Sequence, residues 1–239
     1  PPPPPPPPAA APPPAAEPNV QCRNCSSLAL ANPLPGDDDI SFVELGHKYT
    51  AWGQQIERSC TGVMGEYFAP FDPVANTTEF YAAWKREYEA GHKGHKYYSI
   101  IHDTLAAGGN HDDAAAAIRS SWEAKGAEAA RLGTLLHLHC EYDLNGGAHP
   151  PDAEISKEIA QFEAFKASRW AKDLGLRPVR TELCVGWRAS GRSVSAGQID
   201  ALYVDKAGRY YLIDFKRVES KNILDPSKRA TRQGFKGAC

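Results

Sequence analysis

The sequence has no stretch of about 18 apolar residues, which excludes a helix that spans a membrane. It also lacks a large charge of one sign: the formal net charge is −2, so whole-chain electrostatics do not announce a nucleic-acid binder. Its six cysteines do not form a framework. Cys22-x-x-Cys25 has no second pair at zinc-finger spacing, because Cys60, Cys140, Cys184 and Cys239 are scattered, leaving at most half a zinc knuckle. Scattered thiols fit a reducing compartment. The first residues lack both the Arg and Ser of a transit peptide and the apolar core of a signal peptide, so they carry no address. No internal repeat is present.

What the chain does contain is concentrated near its end. Ala201-Leu-Tyr-Val204 and Arg209-Tyr-Tyr-Leu-Ile213 are short β-forming runs joined by Asp205-Lys-Ala-Gly208, a good hairpin turn. Asp200 precedes the first run and Asp214 ends the second, so antiparallel pairing brings both to the same end. Alternation puts Asp214 and Lys216 on one face and Phe215 on the other. Two carboxylates suit a hard cation such as Mg²⁺ or Mn²⁺, which prefers oxygen ligands, and the neighbouring amine handles charge or a proton. The bland alternative is two surface acids and a solvated lysine on an edge hairpin.

Upstream, residues 126–144 read as a helix in which His137 and Glu141 lie at i and i+4, hence on one face. An imidazole there suits a metal or a phosphate, or it is an ordinary boundary histidine. His139 points elsewhere and is read as a core residue.

Taken in order, Gly133-Thr-x-x-His137, Glu182 on a strand, Gly197-x-x-Asp200 and Asp214-x-Lys216 resemble the PD-(D/E)XK nuclease superfamily, in its RecB-like branch. His47-Lys-Tyr49, Ile56-Glu-Arg-Ser-Cys-Thr61 and Phe68-x-x-Phe71-Asp72 are similar to an entry segment of viral, organellar and algal members, among them the mitochondrial genome maintenance exonucleases. The resemblance covers residues 40 to 239. It implies a restriction-endonuclease-like α/β (α+β) core with a mixed central sheet flanked by helices. Asp200, Asp214 and the Phe215 carbonyl would supply oxygen ligands, and His137 would hold or position the metal. Lys216 would orient or deprotonate the attacking water and stabilise the transition state, with Glu182 near the metals and Glu141 supporting His137.

One departure stands out. RecB-like nucleases follow the Asp-x-Lys strand with a helix carrying Gln-x-x-x-Tyr. Here Gln233 lies in the right region, but residue 237 is Gly and the chain stops at Cys239. The first residue is not Met either. The chain is therefore expected to be a fragment, with its core truncated at the C-terminus.

The distribution of charge is more telling than its sum. From Asp205 onward there are nine Lys or Arg against four Asp or Glu. Arg217, Lys221, Lys228, Arg229 and Arg232 are the candidates for tracking a phosphate backbone.

Residues 1 to 40 are expected to be a disordered Pro/Ala-rich segment with a polar linker over 19 to 40, and 41 to 239 the nuclease-like domain. A hairpin is expected from Phe42 to Ile56 with Gly53 at a turn. Helices are expected over 77–90, 112–124, 126–144 and 152–173. Three strands follow over 177–187, 194–204 and 209–216. Phe80, Tyr81, Trp84 and Tyr88 form a stripe at helical spacing, read as core rather than a base-stacking platform.

The combined expectation is an intracellular, metal-dependent deoxyribonuclease using Mg²⁺ or Mn²⁺. It would be an exonuclease or flap-processing enzyme acting on DNA with a free or single-stranded end, in replication, repair or recombination. The alternatives are a catalytically inactive nucleic-acid-binding module of the same fold and a restriction-type endonuclease.

Overall fold

Two small antiparallel sheets and a set of helices make up a mixed α+β fold. The computed structural model describes residues 26–43, 45–67, 70–147, 152–189 and 192–218. The mixed central sheet that the resemblance implies is not seen among the described residues. Strand pairing among the described residues is antiparallel, apart from one isolated parallel bridge between Ser59 and Ala196.

The first sheet is a meander of β1 (Ile40–Val43), β2 (Lys48–Ala51) and β3 (Gln54–Gln55). Trp52 and Gly53 link β2 to β3 with positive φ at both positions, 48° and 73°. That is the two-residue turn whose twist matches a hairpin, and it puts a bulky residue where Asn is usual. Trp52 is held there by packing against the first core cluster and by the Arg188 guanidinium 4.8 Å from its ring.

The second sheet joins β4 (Arg177–Ala189), β5 (Arg192–Val204) and β6 (Tyr210–Ile213) in sequence order. Its β5–β6 turn is specified locally. Asp205 Oδ1 accepts from the N–H groups of Ala207 and Arg209 at 2.8 and 2.9 Å, and Gly208 takes φ 80°. This is a tight turn closed by a left-handed glycine bulge. Phe42, Tyr49, Ala51, Ile56 and Ala196 bury together and join the two sheets.

Helices follow their caps. Ser59 caps α2 (Cys60–Gly65), Asp72 caps α3 (Pro73–Glu89), and α4 (Tyr98–Ala106) comes next. Asn110 and Asp113 form a capping box at the start of α5 (His111–Leu144). The two helices expected around Gly126 are therefore one helix of 34 residues. Gly126 is exposed and meets no neighbour, so it costs the helix about 1 kcal/mol and nothing more. The single helix expected over 152–173 is instead a short 3₁₀ turn (Ala153–Ile155), α6 (Ser156–Ala167) and α7 (Arg169–Leu174). Ser168 breaks it by adopting extended backbone and capping Ala171.

Residues 26–40, read as linker from sequence, belong to the fold. Helix α1 (Ser27–Ala31) packs against β4, and Asn32 donates to the Val179 carbonyl. The Arg180 guanidinium, 1% exposed, is held by both Asp37 oxygens at 2.8 and 2.9 Å. Residues 1–25, including Cys22 and Cys25, lie outside the described residues, as do 219–239. Cys60, Cys140 and Cys184 are not in disulfides, and burial pushes the Cys140 thiol up to about 12. Among the described residues no helix is long and apolar enough to cross a membrane.

Candidate metal centre

Helix α5 supplies one wall of the site. Leu132, Leu136, His139 and Cys140 form its buried stripe, and Leu136 and Cys140 pack with Phe162 of α6. Rotating one residue around the helix gives a second stripe: Gly133, Thr134, His137, Leu138 and Glu141 line an open cavity of about 470 Å³. The Gly-x-x-x-His spacing is thus the edge of a cavity-facing helix surface. His139 is a buried core residue against Phe162, as expected.

The sheet supplies the facing wall. Gln198 and Asp200, two apart on β5, line the same cavity, together with Glu182 of β4, Asp214 and Lys216. Pairs Thr181–Ala201 and Leu183–Ile199 flank Glu182 and Asp200, which places these two acids opposite each other across the ladder. Glu182 is buried and holds φ at 46°, a left-handed conformation that is strained for a side chain of this size. Helix α2 closes one end of the cavity with Thr61. It can approach because Gly197 has no side chain: a Cβ there would stand 2.9 Å from the Cys60 sulfur. The Gly197-x-x-Asp200 spacing therefore has a packing reason.

His137 fixes the electrostatics. Its Nε2 lies 2.8 Å from the Phe215 carbonyl, and a carbonyl only accepts, so Nε2 carries a proton. Nδ1 is left facing Glu182 Oε1 at 3.8 Å and Asp200 Oδ2 at 3.7 Å, both too long for a hydrogen bond. One nitrogen and two carboxylates thus converge, with ligand atoms all within 4.8 Å of one another. The Glu182 carboxylate pushes the imidazole up in pKa, against burial that pushes it down, and Asp200 adds to the rise. Burial pushes the Asp200 carboxyl up, and the charges of Asp214 and Glu182 add to this. The Phe215 N–H, donating to Oδ2 at 2.6 Å, and His137 pull it back. A cation between the three groups would offset the two carboxylate charges, and one imidazole nitrogen with two carboxylate oxygens is a donor set that fits a divalent metal.

Comparisons with family models, with curated proteins and with solved structures return no match.

The remaining expected residues are placed as follows. Asp214 lies outside the group of three; it is 63% exposed, and its Oδ1 pairs with Lys216 Nζ at 2.9 Å. That pairing raises the lysine's pKa. The Phe215 carbonyl accepts from His137, while its ring points the other way into the Leu136–Cys140–Phe162 cluster. Arg217 donates through Nε to Glu158 of α6 at 2.8 Å. Lys221, Lys228, Arg229 and Arg232 lie outside the described residues. Gln198, a cavity residue missed from the sequence, was signalled by its i, i+2 relation to Asp200. His47 and Thr61 also line the cavity and stood unassigned within the entry segment.

Proposed function

We propose that this chain is a metal-dependent deoxyribonuclease of the PD-(D/E)XK type, with the restriction-endonuclease-like core its motif order implies. The reading rests on one observation above all: His137, Glu182 and Asp200 converge in the cavity that Asp214 and Lys216 also line. Divalent Mg²⁺ or Mn²⁺ would be held by His137 Nδ1, Glu182 and Asp200. When bound, such an ion supplies Lewis-acid polarisation of a phosphodiester and neutralises developing charge.

The chain's own residues divide the other tasks. Lys216, kept charged by Asp214, offsets the negative charge that builds on a phosphate entering the cavity. The Phe215 carbonyl locks the imidazole so that Nδ1, not Nε2, faces the acids. The Phe215 N–H orients Asp200 through Oδ2. DNA with a free or single-stranded end is the substrate the RecB-like motif order implies, in an exonuclease or flap-processing role. The test is cleavage of end-labelled single-stranded and duplex DNA in Mg²⁺ or Mn²⁺. The reading expects metal-dependent cleavage that disappears in Asp200→Asn while the fold is kept. Cleavage unchanged in that variant contradicts it.

A second reading, a nucleic-acid-binding module of the same fold without catalysis, draws on the exposure of Asp214 and its absence from the group of three. Mn²⁺ binding without any cleavage is the outcome that favours it.

A further inference from the structure

We infer that a second cavity, walled by Phe71, Phe80, Trp84, Lys96, Tyr97 and Trp122, binds an unstacked base of single-stranded nucleic acid. The inference rests on the nuclease reading only for the identity of the strand.

Part of the aromatic stripe of α3 is core, as its spacing suggests: Tyr81, Trp84 and Tyr88 pack against Tyr97, Ile101, Ala114 and Ile118. The rest is not. Phe71 is 65% exposed and Phe80 is 42% exposed, and both border an open space of about 450 Å³ whose floor is Trp84, Tyr97 and Trp122. That volume lies within the roughly 300–1,000 Å³ of small-ligand sites. The floor is rigid: Trp122 Nε1 donates to the Tyr97 hydroxyl at 2.9 Å, and the Trp84 and Tyr97 rings meet at 4.5 Å. At the rim, the Phe71 ring meets Trp122 at 5.4 Å between ring centres and the Phe80 ring lies 6.3 Å from Trp84.

Lys96 decides the class of guest. Its ammonium lies 4.4 Å from the Tyr97 ring centre and 6.0 Å from that of Trp84. An aromatic cavity without a resident cation would suit a quaternary ammonium group. With Lys96 in place, a cationic guest is repelled, and a guest with a π-face and a nearby negative charge is favoured. A nucleotide has both. The turn that carries Lys96 also carries Lys93, a second positive charge three residues away.

The position relative to the candidate metal centre fits the same strand. Trp122 and His137 are both on α5. Fifteen residues separate them, about 22 Å along the axis and about 60° around it. That span is about six nucleotides at the stacked rise of 3.4 Å, and fewer when the strand is stretched. A base must leave its duplex partner to enter an aromatic site, so the cavity selects single strands.

The test is binding of a labelled twelve-residue oligothymidylate in EDTA, where cleavage cannot intervene. Phe71→Ala and Phe80→Ala are expected to weaken binding about tenfold each, with Phe80→Trp restoring it and unchanged melting curves throughout. An abasic residue scanned along the oligonucleotide should weaken wild-type binding at one position and have no further effect there in Phe80→Ala. Wild-type affinity in both alanine variants overturns the inference, as does an equal loss for duplex DNA. If the nuclease reading alone fails, Mn²⁺ produces no cleavage while these binding losses persist.

Discussion

Glu182 and Asp200 stand opposite each other across the β4–β5 ladder, two buried or half-buried carboxylates in a position where like charges repel. The strained backbone of Glu182 adds to the cost. A fold that retains both expenses has stored them at one place, beside an imidazole whose Nδ1 faces the acids.

Removing one charge should therefore stabilise the metal-free protein. In EDTA, in alkaline buffer where His137 is neutral, Glu182→Gln is expected to unfold at a temperature a few degrees higher, for a gain of about 0.5–1 kcal/mol. The same variant should lose the rise in melting temperature that Mn²⁺ gives the wild type. A lower melting temperature in EDTA together with an intact Mn²⁺ response would contradict this.

Gly133 separates stability from activity in the opposite sense. It sits in the interior of α5, lines the cavity, and has open space where a Cβ would be. Gly133→Ala should stabilise the helix by up to about 1 kcal/mol. If the cavity holds DNA as proposed, the new methyl occupies part of its space, and cleavage at subsaturating DNA should fall. Denaturant titration and initial rates check the two halves independently.

Asp37 tests whether residues 26–40 belong to the fold. Burial works against its ionisation, but the Arg180 hydrogen bond and charge and the Leu34 N–H bring its pKa below the usual value. Asp37→Ala takes the carboxylate away from the buried Arg180 guanidinium, and should destabilise the protein by roughly 3 kcal/mol. A change below 0.5 kcal/mol in urea titration would return these residues to linker status.

Asp205 governs acid stability in the β5–β6 turn. The Arg209 backbone N–H above all, with the Arg209 and Tyr211 side chains and the Ala207 N–H, holds its carboxyl at about 2. The folded value lies below the unfolded one, so its contribution is complete above about pH 4 and is lost as the pH falls toward 2. Asp205→Asn should lower stability at pH 7 and flatten the pH dependence between 4 and 2. Thermal melts across that window give the answer.

What the sequence made readable was local. The β5–β6 hairpin is written in alternating apolar runs around Asp205 and Gly208, and the same period placed Phe215 away from Asp214 and Lys216. The convergence of Asp200 with Asp214 followed from antiparallel pairing, but Asp200 also stands opposite Glu182, whose left-handed backbone no pattern encodes. Gly126 read as a helix break because its cost is visible in sequence while the support of a 34-residue helix by α3, α4 and α6 is not. Asp37 read as part of an acidic linker because its partner Arg180 lies 143 residues away. Ser168 looked like a residue inside one helix, since a cap differs from an interior serine only in backbone conformation. Long-range partnerships decide each of these, and a single sequence does not display them.

The central proposal is that His137, Glu182 and Asp200 hold the cation of a phosphodiester-cleaving site. The most direct measurement is the single-turnover rate of cleavage of end-labelled single-stranded DNA in Mn²⁺, for the wild type, Asp200→Asn and Lys216→Ala. The account predicts cleavage that EDTA abolishes and that falls by at least about a hundredfold in each variant, with melting curves that remain cooperative. Cleavage at the wild-type rate in Asp200→Asn would contradict it.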